Sequence, residues 1–523
     1  MIGDATSSPK AGLPALPWLL LIFVTFYLGK LTTFHIGVDA ETAAFRAIDP
    51  QVVAHGPLIW LRQGRWGVFL LERYVVQQTT LPFLPWASFG LFMSLAYLMF
   101  LRAFGVSRPD GRHCLAFAVF AGFPIWFFLA EFSANIIWAG LGVACCGGAV
   151  LAQAAVLRTG GHVRWLMLRA VQAVCIAAAV SIYQSELGLV ASAGLGVIVL
   201  FAVKAAMRPA AIFRAVLAWA AILVVGLVVY GVVWRIFLSV LHTTPDYIDG
   251  FISPEALLAD PVEVLGKVLV EMRGVYGGGG SVYGAPARGV LLILALGPLC
   301  VVMAPGLRGR LAQQAMLVGL VLAILAVPFA PNLLSGGEMP YRSLVGVPIA
   351  LWTMVMLALE SDRIWLRRAA MGATVLVGLH SLHTAALFHA ADVTAARVDE
   401  RLAAAVYDDV IRARLAAGDR GHSKTAFFGA PADVRMPYPR IETVGALVFR
   451  WDGGSSRRIA LLMKALGYAE IDPVSRVEWL DLQEAFAAMP IWPAAGSVRV
   501  MGEITLVRLG REPEYPNMLM REP

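Results

Sequence analysis

Residues 34–73 read FHIGVDAETAAFRAIDPQVVAHGPLIWLRQGRWGVFLLER. An apolar window closes just before this stretch, which gathers Asp39, Glu41, Arg46, Asp49, Arg62, Arg65 and Arg73. Carboxylates and guanidiniums packed this densely beside a membrane helix are costly unless they face water or a polar site. The stretch is therefore read as a polar loop lying against a bilayer and as the first candidate for a functional segment.

Working outward, the whole chain supports a membrane setting. Its 523 residues are 59% hydrophobic and 15% charged, against about 25% charged in an average globular protein, and its mean hydropathy is +0.72. The formal charge of +7 does not call for nucleic acid. Most basic residues flank apolar windows, where orientation signals are expected. The five cysteines, Cys114, Cys145, Cys146, Cys175 and Cys300, lie in or beside apolar stretches, so neither a disulfide framework nor a thiolate metal site is implied. Leu16 to Leu28 has only Lys10 before it and no small-x-small cleavage signature. It reads as an uncleaved first helix rather than a signal peptide.

Windows of roughly 20 residues, long enough to cross about 30 Å of hydrocarbon, fall at approximately 14–33, 82–103, 114–131, 135–157, 166–183, 187–206, 214–238, 288–306, 312–331, 343–360 and 367–388. This predicts an all-α polytopic membrane protein of about eleven helices, because backbone polar groups in lipid must be satisfied within each span. One set of connections carries Arg102, Arg108 and Arg112; Arg158 and Arg164; Lys204 and Arg208; Arg308 and Arg310; and Arg363, Arg367 and Arg368. The alternate short connections, Glu131 to Asn135, Gln184 to Glu186 and Pro331 to Tyr341, are without Lys or Arg up to Tyr341. The positive-inside rule makes the basic set cytoplasmic. The N-terminus is then inside, and the Asp39 loop outside.

Two long outer loops follow, about 34–80 and 241–287. In the first, WGVFLLERYV suits a helix lying at the membrane surface. In the second, EALLADPVEVLGKVLVEMRGVY has a similar amphipathic pattern and precedes the run Gly277 to Gly280. That run reads as a flexible hinge, since no P-loop Lys-Ser/Thr follows it. An odd number of spans puts the tail outside too. Composition shifts near His389, giving two domains: 1–388 in the membrane with its outer loops, and 389–523 as a small C-terminal α+β extracytoplasmic domain. The tail holds a long helix, VTAARVDERLAAAVYDDVIRARLAAG, then a strand TAFFG. SVRVM and ITLVRL form a hairpin around Gly502 and Glu503.

Three polar constellations could carry chemistry. Asp39 and Glu41 are two residues apart, so their carboxylates share a side if the chain is extended and diverge if it is helical. One could serve as general base toward a hydroxyl, while Arg62 or Arg65 holds a phosphate through paired hydrogen bonds. Interfacial ion pairing is the structural alternative. The second is Ser181, Tyr183, Gln184, Ser185 and Glu186, which either caps two helix ends or touches a sugar. The third is GGEMPYR, where Arg342 either snorkels to headgroups or binds a lipid phosphate. His380, His383 and His389 lack a nearby carboxylate until Asp392, which argues against a metal. No HExxH, CxxC pair, P-loop or GxSxG is present.

Taken together, VDAET in the first outer loop, Gly64-Arg65-Trp66 before the next helix, the Tyr183-Gln184 pair, PYRSL near the last helices and AAMPIWPAAGSVRV near the end resemble the GtrII-like O-antigen-modifying glucosyltransferases. Those are integral-membrane glycosyltransferases of the GT-C type. The motif departs from the adjacent acidic pair expected of relatives, having Asp39-Ala40-Glu41, and which carboxylate is the base stays open. The resemblance implies a GT-C-like membrane domain that moves a hexose, glucose first among them, from a polyprenyl-phosphate donor to an O-antigen or lipopolysaccharide glycan. The reaction would invert at the outer side of the bacterial cytoplasmic membrane. It makes Asp39 and Glu41 the catalytic pair, gives Arg65, Arg62 and Arg342 the donor phosphate, and gives Tyr183, Gln184 and Trp66 the sugar. No cofactor is expected, although two carboxylates and a phosphate could share a divalent ion such as Mg²⁺. The implied partners are the lipid-linked sugar, the glycan acceptor, the bilayer, a donor-synthesising glycosyltransferase and a small flippase. Rival readings are an O-antigen polymerase or ligase, for which an acidic loop after the first helix is less natural, and a lipid-saccharide flippase. A transporter would place polar residues near the midplane, whereas the charges here sit at helix ends.

Overall fold

The computed structural model describes residues 15–45, 56–76, 82–158, 161–245, 253–277, 280–284, 288–418, 423–432 and 434–511. In chain order its main helices are α1 (Ala15–Thr32), α2 (Ala40–Ala43), α3 (Leu58–Arg62), α4 (Trp66–Tyr74), α5 (Leu84–Ala103), α6 (Gly111–Ala121), α7 (Ile125–Ala130), α8 (Ser133–Arg158) and α9 (His162–Ile182). They continue with α10 (Glu186–Lys204), α11 (Pro209–Val240), α12 (Pro261–Gly277), α13 (Arg288–Val302), α14 (Leu311–Ala326), α15 (Gly346–Leu359), α16 (Ile364–Ala416) and α17 (Ser456–Ala465). Each of the eleven apolar windows falls on helix. Among the described residues, however, eight helices are long and apolar enough to cross a bilayer.

The other three are shorter. The window at 114–131 is split between α6 and α7, where Gly122 caps one helix and Pro124 begins the next without an N–H to continue the ladder. α13 and α15 run for only 15 and 14 residues. Every residue of α15 is buried, as expected of a helix that is hydrophobic all round. Pro328 brings a 3-10 turn, Val327–Phe329, into the run after α14, which is still counted among the eight.

Aromatic rings fill the bundle core and satisfy their own polar tips. Phe23 stacks on Tyr27 at 4.2 Å. The Trp352 indole donates to the Tyr97 hydroxyl at 3.1 Å, which donates in turn to the His113 carbonyl at 2.5 Å. Such a relay lets large amphipathic rings be buried without stranding a donor.

The most consequential element is α16, a single helix of 53 residues. At 1.5 Å per residue it runs roughly 80 Å. It starts beside the arginine-rich connections, passes through an apolar half, and continues into a polar half without a break. The expected domain boundary at residue 388 therefore falls inside a continuous helix. At its far end Arg414 donates to Thr505 Oγ1 at 3.0 Å, to Thr425 Oγ1 at 2.8 Å and to the Glu470 carbonyl at 3.1 Å.

Those contacts reach a four-stranded sheet of order β2-β1-β4-β3, made of β1 (Ser423–Phe428), β2 (Ile471–Pro473), β3 (Val498–Met501) and β4 (Ile504–Arg508). β1 is parallel to both neighbours. β3 and β4 form the antiparallel hairpin, with Gly502 at φ +59° in its turn. α17 packs against β1 and β2. Arg46, Asp49 and residues 278–279 of the glycine run lie outside the described residues.

Candidate functional site

The connections without basic residues converge with the Asp39 loop at one end of the bundle, opposite the arginine-rich end. Two groups of side chains lie there.

The first is built on α2. Asp39 precedes this one-turn helix in the left-handed region, φ +68°, a conformation that Asp tolerates better than most residues. The turn this imposes lets Asp39 and Glu41 converge on one point, although the helix that begins at Ala40 would by itself turn them apart. Both reach Arg458 of α17: Nη1 lies 2.8 Å from Asp39 Oδ1 and 2.5 Å from Glu41 Oε1. Arg458 Nε lies 2.8 Å from Asp452 Oδ2, so one guanidinium holds three carboxylates.

The two acidic residues differ sharply in access. The Asp39 side chain is 43% exposed and that of Glu41 0%. Burial pushes the Glu41 carboxyl up to about 7, with the Arg458 charge pulling the other way and Asp39 adding to the rise. Its Oε2 has no hydrogen-bond partner among the described residues.

The segment carrying Asp452 is itself fastened to the long helix. Asp399 of α16 accepts from the Val448 and Phe449 N–H groups at 2.7 and 3.3 Å, and Asp392 accepts from Gly445 N–H at 2.8 Å. Asp392 and Glu131 share Lys30 of α1, at 3.0 and 2.9 Å. A cavity of about 20 Å³ lined by His35, Gly37, Val38, Glu131, Asp392 and Asp399 lies between them.

The second group is cationic. α3 and α4 form a hairpin turning at Gly64 (φ +74°), and Gly67 brings it against α9 so closely that a Cβ there would sit 2.3 Å from Ser181 Oγ. Arg65 at the turn lies over the Tyr183 ring at 5.0 Å and the Trp60 ring at 5.6 Å. Its Nε is buried with no hydrogen-bond partner among the described residues. Tyr183 donates its hydroxyl to the Arg342 carbonyl at 3.1 Å. The Arg342 guanidinium lies over Phe132 and 3.8 Å from Glu442.

The remaining expected contacts are spent on the scaffold. Gln184 Nε2 donates to the Gln63 carbonyl at 2.6 Å, Trp66 Nε1 to the Tyr230 carbonyl at 3.2 Å, and Arg62 Nε to Thr243 Oγ1 at 3.3 Å. The structure thus groups Asp39 with Glu41, and Arg65 with Tyr183 and Arg342, while Arg62, Trp66 and Gln184 fix the hairpin. Phe132 joins the two groups: it lies under Arg342 and packs against the cluster that contains Val38 and Ile36. Among the described residues no set of three or more His, Cys, Asp or Glu side chains could hold a metal ion.

Sequence reasoning missed Arg458, Asp452 and Asp399. The run Ser455-Ser456-Arg457-Arg458 reads as an ordinary helix start, and nothing in its spacing points to a loop more than four hundred residues earlier.

The profile of the family described as Glucosyl transferase GtrII matches residues 31–359, more than half of the chain. The chain belongs to this family. It is a membrane glycosyltransferase, in keeping with its apolar helices. No curated protein and no solved structure matches it. The GtrII match takes in Asp39, Glu41, Arg62, Arg65, Trp66, Tyr183, Gln184 and Arg342, and stops before α16, so Arg458 and the sheet lie beyond it.

Proposed function

We propose that the protein moves glucose from a polyprenyl-phosphate donor to an O-antigen or lipopolysaccharide glycan, with inversion, on the outer side of the bacterial cytoplasmic membrane. The observation that carries this reading is the division of labour at one end of the bundle. A solvent-reaching carboxylate, Asp39, sits there together with an arginine, Arg65, that has no carboxylate partner of its own among the described residues. A lipid-linked sugar would present its phosphate to the second and its anomeric carbon toward the first.

Asp39 is the base in this reading, because Glu41 is too deeply buried to reach an acceptor. The Asp39 carboxylate takes the proton of the acceptor hydroxyl as that oxygen bonds to the anomeric carbon. The bond from the anomeric carbon to the phosphate oxygen breaks, and polyprenyl phosphate leaves with the electron pair. Arg65 neutralises the charge on the leaving phosphate, with Arg342 and Arg62 nearby. Glu41 holds Arg458, and Arg458 fixes the direction of Asp39. Tyr183 positions Arg65 and so the sugar beside it.

A Mg²⁺ ion shared by the two carboxylates would have to displace the Arg458 guanidinium, so the reading needs no cofactor. The membrane part, 1–388, would hold the donor and residues 389–523 the acceptor. The N-terminus would be cytoplasmic, with an enzyme making the donor and a small flippase delivering it.

The test is transfer of radiolabelled glucose from synthetic polyprenyl-phosphate-glucose to membrane glycan. Asp39→Asn at matched expression should lose roughly 10²–10⁴-fold in rate and still insert normally. Full turnover by Asp39→Asn would remove the base assignment. No label from any hexose donor with folded wild type would remove the donor.

A further inference from the structure

At the arginine-rich end, α9 carries a basic side chain that the transfer reading does not use. Arg169 lies seven residues past the start of α9 at His162, roughly 10 Å along the helix axis. It is 9% exposed. Its Nη1 donates to Gln153 Oε1 at 3.1 Å and to Gln172 Oε1 at 3.0 Å, and Gln172 Nε2 donates to the same Gln153 oxygen at 2.9 Å. The guanidinium also lies 5.4 Å from the Trp165 ring, which stacks on His162.

Donors and acceptors do not balance in this cluster. A guanidinium carries five N–H groups and each carboxamide two, while the side-chain acceptors present are two amide oxygens. Gln153 Nε2 is buried with no acceptor among the described residues. No carboxylate pairs with Arg169 among the described residues either, so none of them neutralises its charge. An arginine at membrane depth without a counter-ion is costly. This one is not free to swing out to water, because buried amides on α8 and α9 hold Nη1.

The surroundings indicate where the missing acceptor comes from. Leu166, one turn before Arg169, is 58% exposed, and Val163 and Met167 beside it are 68% and 65% exposed. The half-open Trp165 indole occupies the level at which aromatic rings mark the headgroup region. An acyl chain fits against such a flank, and a phosphate would lie above it. A phosphodiester also presents two non-bridging oxygens that a planar guanidinium fork binds.

We propose that Arg169, framed by Trp165 and the Gln153–Gln172 pair, is a headgroup site for an anionic phospholipid, whose acyl chain runs along Leu166. The bound phosphate supplies the acceptors and the negative charge that the cluster lacks. The inference stands apart from the transfer reaction, which takes place at the other end of the bundle.

The test uses delipidated full-length protein in detergent, with phosphatidylglycerol or phosphatidylcholine added and bound lipid counted by native mass spectrometry. Wild type should prefer phosphatidylglycerol at least tenfold. Arg169→Gln should weaken that binding about 10–100-fold, the range for hydrogen bonds to a charged group. Arg164→Gln, about one and a half turns away and exposed, should change it less than twofold. Equal binding of the two lipids by wild type would overturn the site, as would an unchanged affinity in Arg169→Gln or an equal loss in Arg164→Gln. Retention of a polyprenyl phosphate in preference to phosphatidylglycerol would overturn the choice of ligand. Should Arg169→Gln fail to fold, Arg169→Lys keeps the charge and loses the fork. It should then bind about tenfold more weakly than wild type, and unchanged binding would count against the proposal.

Discussion

Arg458 and Arg65 are both at the Asp39 end, and they occupy opposite electrostatic situations. Arg458 is surrounded by Asp39, Glu41 and Asp452. Arg65 lies between two aromatic rings and meets no carboxylate among the described residues. A guanidinium already saturated by carboxylates has little left for a phosphate, whereas one held flat by ring faces keeps its N–H edge for an incoming anion. The first arginine is spent on the protein's own carboxylates, and in the proposed reaction the second is the one that meets the donor phosphate.

The strongest way to break this contrast is Arg458→Met. It should abolish transfer and cost about 3 kcal/mol or more in stability, because Glu41 would be left buried without its counter-charge. Adding Glu41→Gln should restore the melting temperature without restoring transfer. If the double variant regains turnover, Arg458 serves stability alone and Asp39 needs no guide.

Arg65→Ala should act on the substrate rather than on the fold. KM for the lipid donor should rise about 10–100-fold, the range for losing a charged hydrogen bond, with the melting temperature nearly unchanged. An unaltered KM would take Arg65 out of the phosphate site.

A smaller effect is expected from pH. The Glu41 carboxyl titrates near 7 in the folded protein and about 4.3 when unfolded. The folded state therefore binds more protons between these values, and this group withdraws stability as pH rises through that window. Melting temperatures of wild type and Glu41→Gln, measured from pH 4.5 to 7, should differ by an amount that shrinks or reverses in the variant's favour as pH rises. A constant difference would show that Glu41 is ionised throughout. Tyr183→Phe is the mildest change: it keeps the ring beneath Arg65 and removes one hydroxyl bond to the Arg342 carbonyl, worth about 1 kcal/mol. Donor KM should shift by less than tenfold, whereas Tyr183→Ala should approach Arg65→Ala.

Much of the bundle was legible because apolar length is a local signal. Each window from Leu16 onward found a helix, and the Val498–Arg508 hairpin followed from two alternating runs around Gly502. Apolarity does not register a break such as Pro124, so three of the eleven windows correspond to shorter apolar helices, and eight are long enough to span among the described residues. The composition shift near His389 marks a change of surroundings, and α16 passes through it because a helix can leave hydrocarbon without altering its backbone. The acidic loop stood out through charge density. Its geometry did not, since convergence of Asp39 and Glu41 depends on a single positive φ. Arg458 was illegible because an ion pair between distant segments has no period.

The unbroken α16 also acts as a fixed ruler and dial for the region it carries. Every residue added to a helix advances it by about 1.5 Å and turns it by about 100°, so height above the bilayer and direction of facing are locked to each other. Inserting one residue between Asp392 and Asp399 would leave Lys30 paired and swing everything beyond it by more than a quarter turn, Arg458 included. The distance between Asp39 and its guide is thus written in residue count along one helix, and evolution of this enzyme can lengthen its loops more freely than it can lengthen α16.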